Sequence, residues 1–349
     1  MRPIPADAAI QDKADTLRAT LARRLEEARA NSNIYASRFD RTRFEPWAHN
    51  MAVFAILRQP RIPSTAGAGR EHFRTPLSPD FGELGSNAIP EFWGYMALAR
   101  QVTLGVDNAD TRTELTTLAR GLDRFRSSGD AGGWSIFLGE PEMQPDAYTT
   151  AMALMALLEA RRAGVAWSGT VEERDALIRA SFDWLVHHFN AGANPPGWQA
   201  GGSSLGESAD GLTLQIYGRL LDAEREAGLA IPETIAREIP RHLARVNSRN
   251  MEFPNVAGEF SYGRVSEGIN FLWYPWAVDC AMRWLHRSTS TPLSTEERLG
   301  IQRLLGHLVL DLGDEAVAKA TQQWTFSASE TLYGLTSIPP AGGNGRTDS

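Results

Sequence analysis

Cysteine is almost absent from this chain. Cys280 stands alone, which excludes an intramolecular disulfide and a multi-cysteine metal site. Lysine is nearly as scarce, Lys13 and Lys319 being the only two, so arginine carries almost all the positive charge. A positive balance is lacking as well: the net charge is −7, which gives nucleic acid no electrostatic footing. No apolar run reaches membrane-spanning length, and the two best are broken by Glu159 and Asp279. Met1-Arg-Pro-Ile-Pro leads into a polar helix rather than an apolar stretch, so no signal peptide is expected and a cytoplasmic location is predicted. Strand-like alternation is missing throughout.

What the chain does have is helix, in a repeating form. The 349 residues are 42% hydrophobic, enough for a sizeable core. The stretch from Gly132 to Gly164 sets the pattern: Gly-Gly-Trp134, a polar loop, then Asp146-Ala-Tyr-Thr-Thr-Ala-Met-Ala-Leu-Met-Ala-Leu-Leu. That segment is rich in Ala, Leu and Met and apolar around most of its circumference, which predicts a helix buried on all sides. Asp146 suits its N-cap and Gly164 its C-terminal close. Similar buried segments begin near Asn87, Ser208, Glu267 and Ser327, about 60 residues apart each time. Aromatic turns at Trp134, Trp198, Phe260 and Trp324 precede four of them. Amphipathic segments lie between, with capping-box patterns at Thr111/Glu114, Thr170/Glu173 and Ser294/Glu297. Pro240 and Pro275 are expected to kink or split the helices that contain them. With a buried helix from Phe44 to Leu57 and an amphipathic one from Asp15 to Ala30, the count comes to about six hairpins. Six hairpins can close into a ring, so the expected fold is all-α: an (α/α)6 toroid spanning 1–338 as one domain. Residues 58–86 read as a long loop or lid, and 339–349 as a disordered tail. An open solenoid is the competing arrangement.

Gly-Gly-Trp followed by Asp-x-x-x-Thr-Ala-x-Ala-Leu resembles the tryptophan-containing repeat of squalene–hopene cyclases, and is similar to the repeats of protein prenyltransferase β subunits. The likeness is good from Trp134 to Ala160, weaker from Trp198 to Leu221, and positional at the later turns; as a pattern it covers about 87–338. It implies a terpenoid-cyclase-like isomerase or lyase acting on an isoprenoid or similar apolar molecule. The protonating cyclases use an Asp-x-Asp-Asp-Thr-Ala motif. Alignment on Thr150-Ala151 puts Asp146 at the first aspartate, and Tyr148 and Thr149 where the acid and its partner belong. A tyrosine with a pKa near 10 is no substitute for that acid. The zinc of the prenyltransferases is not expected either: Asp279 and Cys280 are adjacent, and neighbouring helical residues point about 100° apart. No metal or cofactor is therefore expected.

What remains is a rim of acids. Glu142, Asp146, Glu207, Asp210, Glu267 and Glu330 lie at or near the expected starts of inner helices. Capping explains each one singly, while crowding around one mouth would raise a carboxyl pKa toward general-acid range. Asp146, Glu207, Asp210 and Glu267 are the leading catalytic candidates. Trp93, Tyr148, Tyr217, Trp273, Tyr274 and Trp276 are candidates for an aromatic lining, and His49 is the one interior histidine worth testing as a base. Three functions follow: a terpenoid-cyclase-like enzyme, a non-catalytic toroid that binds a lipid or a protein, and a carbohydrate-active (α/α)6 enzyme. The last needs two carboxylates facing across a groove.

Overall fold

A computed structural model describes residues 7–30, 34–41, 46–60, 88–107, 109–136, 144–198, 210–248, 273–287, 293–322 and 324–341. The helices are α1 (Asp7–Glu27), α2 (Pro46–Leu57), α3 (Ile89–Thr103), α4 (Ala109–Leu122), α5 (Ala147–Arg162), α6 (Val171–His187) and α7 (Asp210–Ala227). They continue with α8 (Glu233–Ala236), α9 (Glu238–Ser248), α10 (Tyr274–Leu285), α11 (Thr295–Gly306), α12 (Gly313–Ala320) and α13 (Thr325–Leu335). The strands described are two of two residues each, Arg29–Ala30 and Ile34–Tyr35, paired antiparallel.

Six helices form an inner ring: α2 packs on α3, α3 on α5, α5 on α7, α7 on α10, α10 on α13, and α13 back on α2. The ring is closed, so the open solenoid is excluded. The apolar circumference read from the sequence is the cause. Every residue from Thr149 to Ala160 of α5 is buried, because the helix is covered by ring neighbours on two sides and by α6 outside. Amphipathic helices make the outer layer: α1 and α12 cover α13, α4 covers α3, α6 covers α5, α9 covers α7, and α11 covers α10. The two ends of the chain fasten the closure. Thr325 donates its N–H to Ser37 O (2.9 Å) and its hydroxyl to Ala36 O (2.7 Å), while Arg18 donates to Leu335 O and Ile338 O at 2.7 Å each.

The tryptophan turns repeat one device. The Trp134 N–H donates to Thr150 Oγ1 (3.0 Å) on α5, and the Trp198 N–H to Thr213 Oγ1 (3.3 Å) on α7. Each buried indole is held by the outer helix, Trp134 Nε1 by Ser181 Oγ (3.0 Å) and Trp198 Nε1 by Leu185 O (2.9 Å). Gly132 makes the first turn possible: its φ is +96°, and a Cβ there would lie 2.1 Å from Ala180 O.

Several local expectations shift. The α4 helix starts at Ala109, so Thr111 lies inside it and is buried rather than capping. Thr170 does cap α6, accepting from the Glu173 N–H, and Ser294 with Glu297 forms the full capping box of α11. Pro240 has no N–H to return to Ala236, and the helix breaks there into α8 and α9. Pro275 sits in the first turn of α10, where its missing N–H costs nothing. Residues 61–87, most of the expected loop or lid, and 342–349, most of the expected tail, lie outside the described residues. So does the Phe260 turn.

Candidate active site at the mouth of the toroid

The inner helices run parallel, and their two ends are chemically opposite. At the C-terminal end the ring is sealed by arginine–carboxylate pairs. Arg58, just past α2, donates to Glu159 Oε1 of α5 at 2.7 Å. Arg162 pairs with Glu159 and reaches Glu226 of α7 at 2.6 Å. Arg283 of α10 bonds Asp279 (2.9 Å) and Asp222, while Arg219 of α7 bonds Asp279 and donates to Tyr333 Oη (2.5 Å) on α13. The surrounding guanidiniums hold the Glu159, Asp222 and Asp279 carboxyls below their ordinary values, although burial opposes this. Arginines also suit the negative ends of helices. These acids are locked anions and have no proton to give. Asp279, named beside Cys280 in the zinc reading, is committed here.

The N-terminal end is different. Asp146 caps α5, accepting from Thr149 N (2.8 Å) and Thr149 Oγ1 (2.7 Å). Burial raises its carboxyl, while those bonds and the Tyr148 N–H pull the other way. Glu91, in the first turn of α3, is raised by burial. Glu330 lies deepest. It is 4% exposed, its Oε2 has no hydrogen-bond partner among the described residues, and burial pushes its carboxyl up to about 8. Phe326 and Tyr333 share its helix face at i−4 and i+3, and Tyr333 reaches Arg219 across the ring. That places Glu330 in the toroid interior, about one turn in from the mouth. Tyr148 is half-buried on α5, opposite α13 in the ring. Burial raises its hydroxyl first, and the Glu330 and Asp146 carboxylates raise it further.

The other candidates scatter. Glu142, Glu207 and Glu267 lie outside the described residues; Asp210 starts α7, its side chain undescribed. Trp93 packs on Phe54 between α2 and α3, ring centres 5.8 Å apart. Tyr217 sits outward, between Trp198 (5.4 Å) and His242 (5.8 Å). Tyr274 also turns outward and donates to Leu308 O (3.0 Å), with Trp273 against its ring. Trp276 packs on Tyr333 at 5.6 Å. Of the six aromatics, then, Tyr148 is the one that meets the mouth acids. His49 accepts the Tyr35 N–H at Nδ1 (3.1 Å), and burial holds it down at about 4, so it is neutral near pH 7.

Three solved structures match nearly the whole chain at low identity. The α-1,6-mannanase GH76A of Salegentibacter sp. HEL1_6 is 11% identical, with a TM-score of 0.63 over 93% of this chain and 98% of that one. An inactive variant of it, with two consecutive aspartates replaced and α-1,6-mannotriose bound, gives 0.64 at 11% identity and the same coverage. The unsaturated glucuronyl hydrolase of Bacillus sp. GL1, responsible for glycosaminoglycan degradation, is 14% identical, with a TM-score of 0.62 over 93% and 96%. No family model matches the chain, and no curated protein does. The likeness is one of fold, and the fold is an α/α toroid.

The terpenoid-cyclase expectation is corrected by these neighbours, which are carbohydrate-active enzymes, and the non-catalytic toroid gains no support. The apolar ligand is corrected with it, since the mannanase structures hold α-1,6-mannotriose and α-1,6-mannotetrose. The physical reason lies in the motif. Gly-Gly-Trp and Thr-Ala record how a turn is hydrogen-bonded to the next inner helix, a need of the architecture whatever the chemistry.

Proposed function

We propose that the protein is a carbohydrate-active (α/α)6 enzyme that cleaves a glycosidic bond at the mouth of the toroid. The observation that carries this reading is Glu330: a buried carboxyl in the ring interior, protonated near pH 7, with an oxygen that has no hydrogen-bond partner among the described residues. Glycoside hydrolysis needs one carboxylic acid kept neutral to protonate the leaving oxygen, and a second carboxylate to act as base or nucleophile. Glu330 takes the first role. Asp146, raised by burial but accepting hydrogen bonds from Thr149 and the Tyr148 N–H that favour its anion, takes the second. Tyr148, held neutral between them, supplies a hydroxyl to a sugar oxygen.

The pair differs from that of the neighbouring mannanase. This chain has no two consecutive aspartates, and its adjacent acids Glu26-Glu27, Glu172-Glu173, Glu296-Glu297 and Asp314-Glu315 all sit on outer helices. Isolated acids from opposite inner helices must therefore do the work. The test is release of sugar from α-1,6-mannotriose and from an unsaturated glucuronyl disaccharide. We expect cleavage of one class and a fall in kcat/KM of about 10²- to 10⁴-fold in Glu330→Gln. Glu330→Gln protein that cleaves as wild type overturns the assignment of the acid.

A further inference from the structure

All ten tryptophans are described, and nine are buried, none more than 7% exposed. Trp47 is the exception, half-buried in the first turn of α2. Its ring packs against Phe326 of α13 at 4.8 Å. Phe326 stands four residues before Glu330 on the same helix face, so Trp47 lies about 6 Å nearer the mouth than the buried carboxyl. That offset is comparable with one pyranose unit. An indole left partly open in a chain that buries every other one needs a reason, because its exposed apolar surface is a cost.

We infer that Trp47 is a sugar-stacking platform that binds the hexopyranose unit next to the one whose bond Glu330 protonates. The inference rests on the glycosidase reading and adds to it that the substrate is an oligosaccharide of at least two units, gripped by its neighbouring ring. An aromatic face covers the C–H side of a pyranose and leaves its hydroxyls in water. Phe326, tilted 42° against the indole, holds the Trp47 ring in place, so the platform is pre-set rather than formed on binding.

Two measurements test this. Acrylamide quenching of tryptophan fluorescence reads exposure directly: Trp47→Phe is expected to lose most of the quenchable fraction, and adding the cleaved saccharide to Glu330→Gln is expected to protect it. Steady-state kinetics reads binding: Trp47→Ala is expected to raise KM about three- to tenfold with kcat within about twofold, the size of one aromatic contact. Trp47→Phe is expected to recover part of the loss, and it keeps the Phe326 contact should the alanine variant fold poorly. Wild type that neither binds nor cleaves α-1,6-mannotriose or the unsaturated glucuronyl disaccharide sinks the glycosidase reading and this one with it. Wild type that cleaves, beside a Trp47→Phe variant with unchanged quenching or a Trp47→Ala variant with unchanged KM, overturns this inference alone.

Discussion

Tyr148 and Glu330 stand on opposite members of the inner ring, α5 and α13, yet the Glu330 carboxylate acts electrostatically on the Tyr148 hydroxyl. A ring of six helices brings opposite members this close only where side chains project into its centre. The interior near the mouth is thus shared by an acid, a phenol and the capping carboxylate of Asp146.

Glu330 makes stability fall as pH rises. Its ordinary value is 4.5 and its folded value about 8, so the folded state holds a proton there that the unfolded chain has lost. The associated stability is complete below pH 4.5 and is lost as pH rises through about 8. Its full size is on the order of 5 kcal/mol. Glu330→Gln carries no such proton. Its melting temperature is expected to match wild type near pH 5 and exceed it at pH 9. Melting curves of the two proteins that stay parallel from pH 5 to 9 would show that the carboxyl does not titrate in this range.

The ring was legible in the sequence, and the acid was not. Helices that are apolar all round, about 60 residues apart, have no stable arrangement except neighbours on every side, so α3, α5, α7, α10 and α13 follow from periodicity and composition. Glu330 was visible as a rim acid, but with the helix expected to start near Ser327 it fell in the first turn, as a cap. The helix starts at Thr325, which carries Glu330 into the second turn and out of water. A shift of two residues separates a solvated cap from a buried acid. The arginine seal was hidden for another reason. Arg58, Arg162, Arg219 and Arg283 are scattered in sequence, and only parallel helices bring their C-terminal halves together. Glu159 and Asp279 read as interruptions of apolar runs until their partners arrived from other helices.

Arg283 bonds two buried carboxylates, Asp222 and Asp279. Arg283→Met leaves both short of a partner in a nearly dry site. Removing one member of such a group costs about 3–5 kcal/mol. The variant is expected to lower the unfolding free energy measured in urea by that amount. It should also unfold at higher pH than wild type on acidification. Carboxyls held below their ordinary values contribute stability above the unfolded values of 3.8 and 4.5, and lose it as pH falls through the folded ones. Acid unfolding that is unchanged in Arg283→Met would mean that the carboxylates find other cations and the seal is redundant.

Asp146 separates capping from chemistry. Its side chain accepts the Thr149 N–H, a capping duty that asparagine performs nearly as well and alanine does not, and also accepts the Thr149 hydroxyl. Asp146→Asn is therefore expected to change stability by less than about 0.5 kcal/mol, and Asp146→Ala to cost about 1 kcal/mol. Neither substitute can act as base or nucleophile, so both variants should lose kcat to a similar extent, by about 10²-fold or more. The comparison is made on the saccharide that the wild type cleaves, with circular dichroism confirming equal helix content. If Asp146→Asn keeps wild-type kcat while Asp146→Ala loses only stability, the residue is a cap alone. The second carboxylate must then be another acid of the mouth, and Glu91, raised by burial in the first turn of α3, is the next to replace.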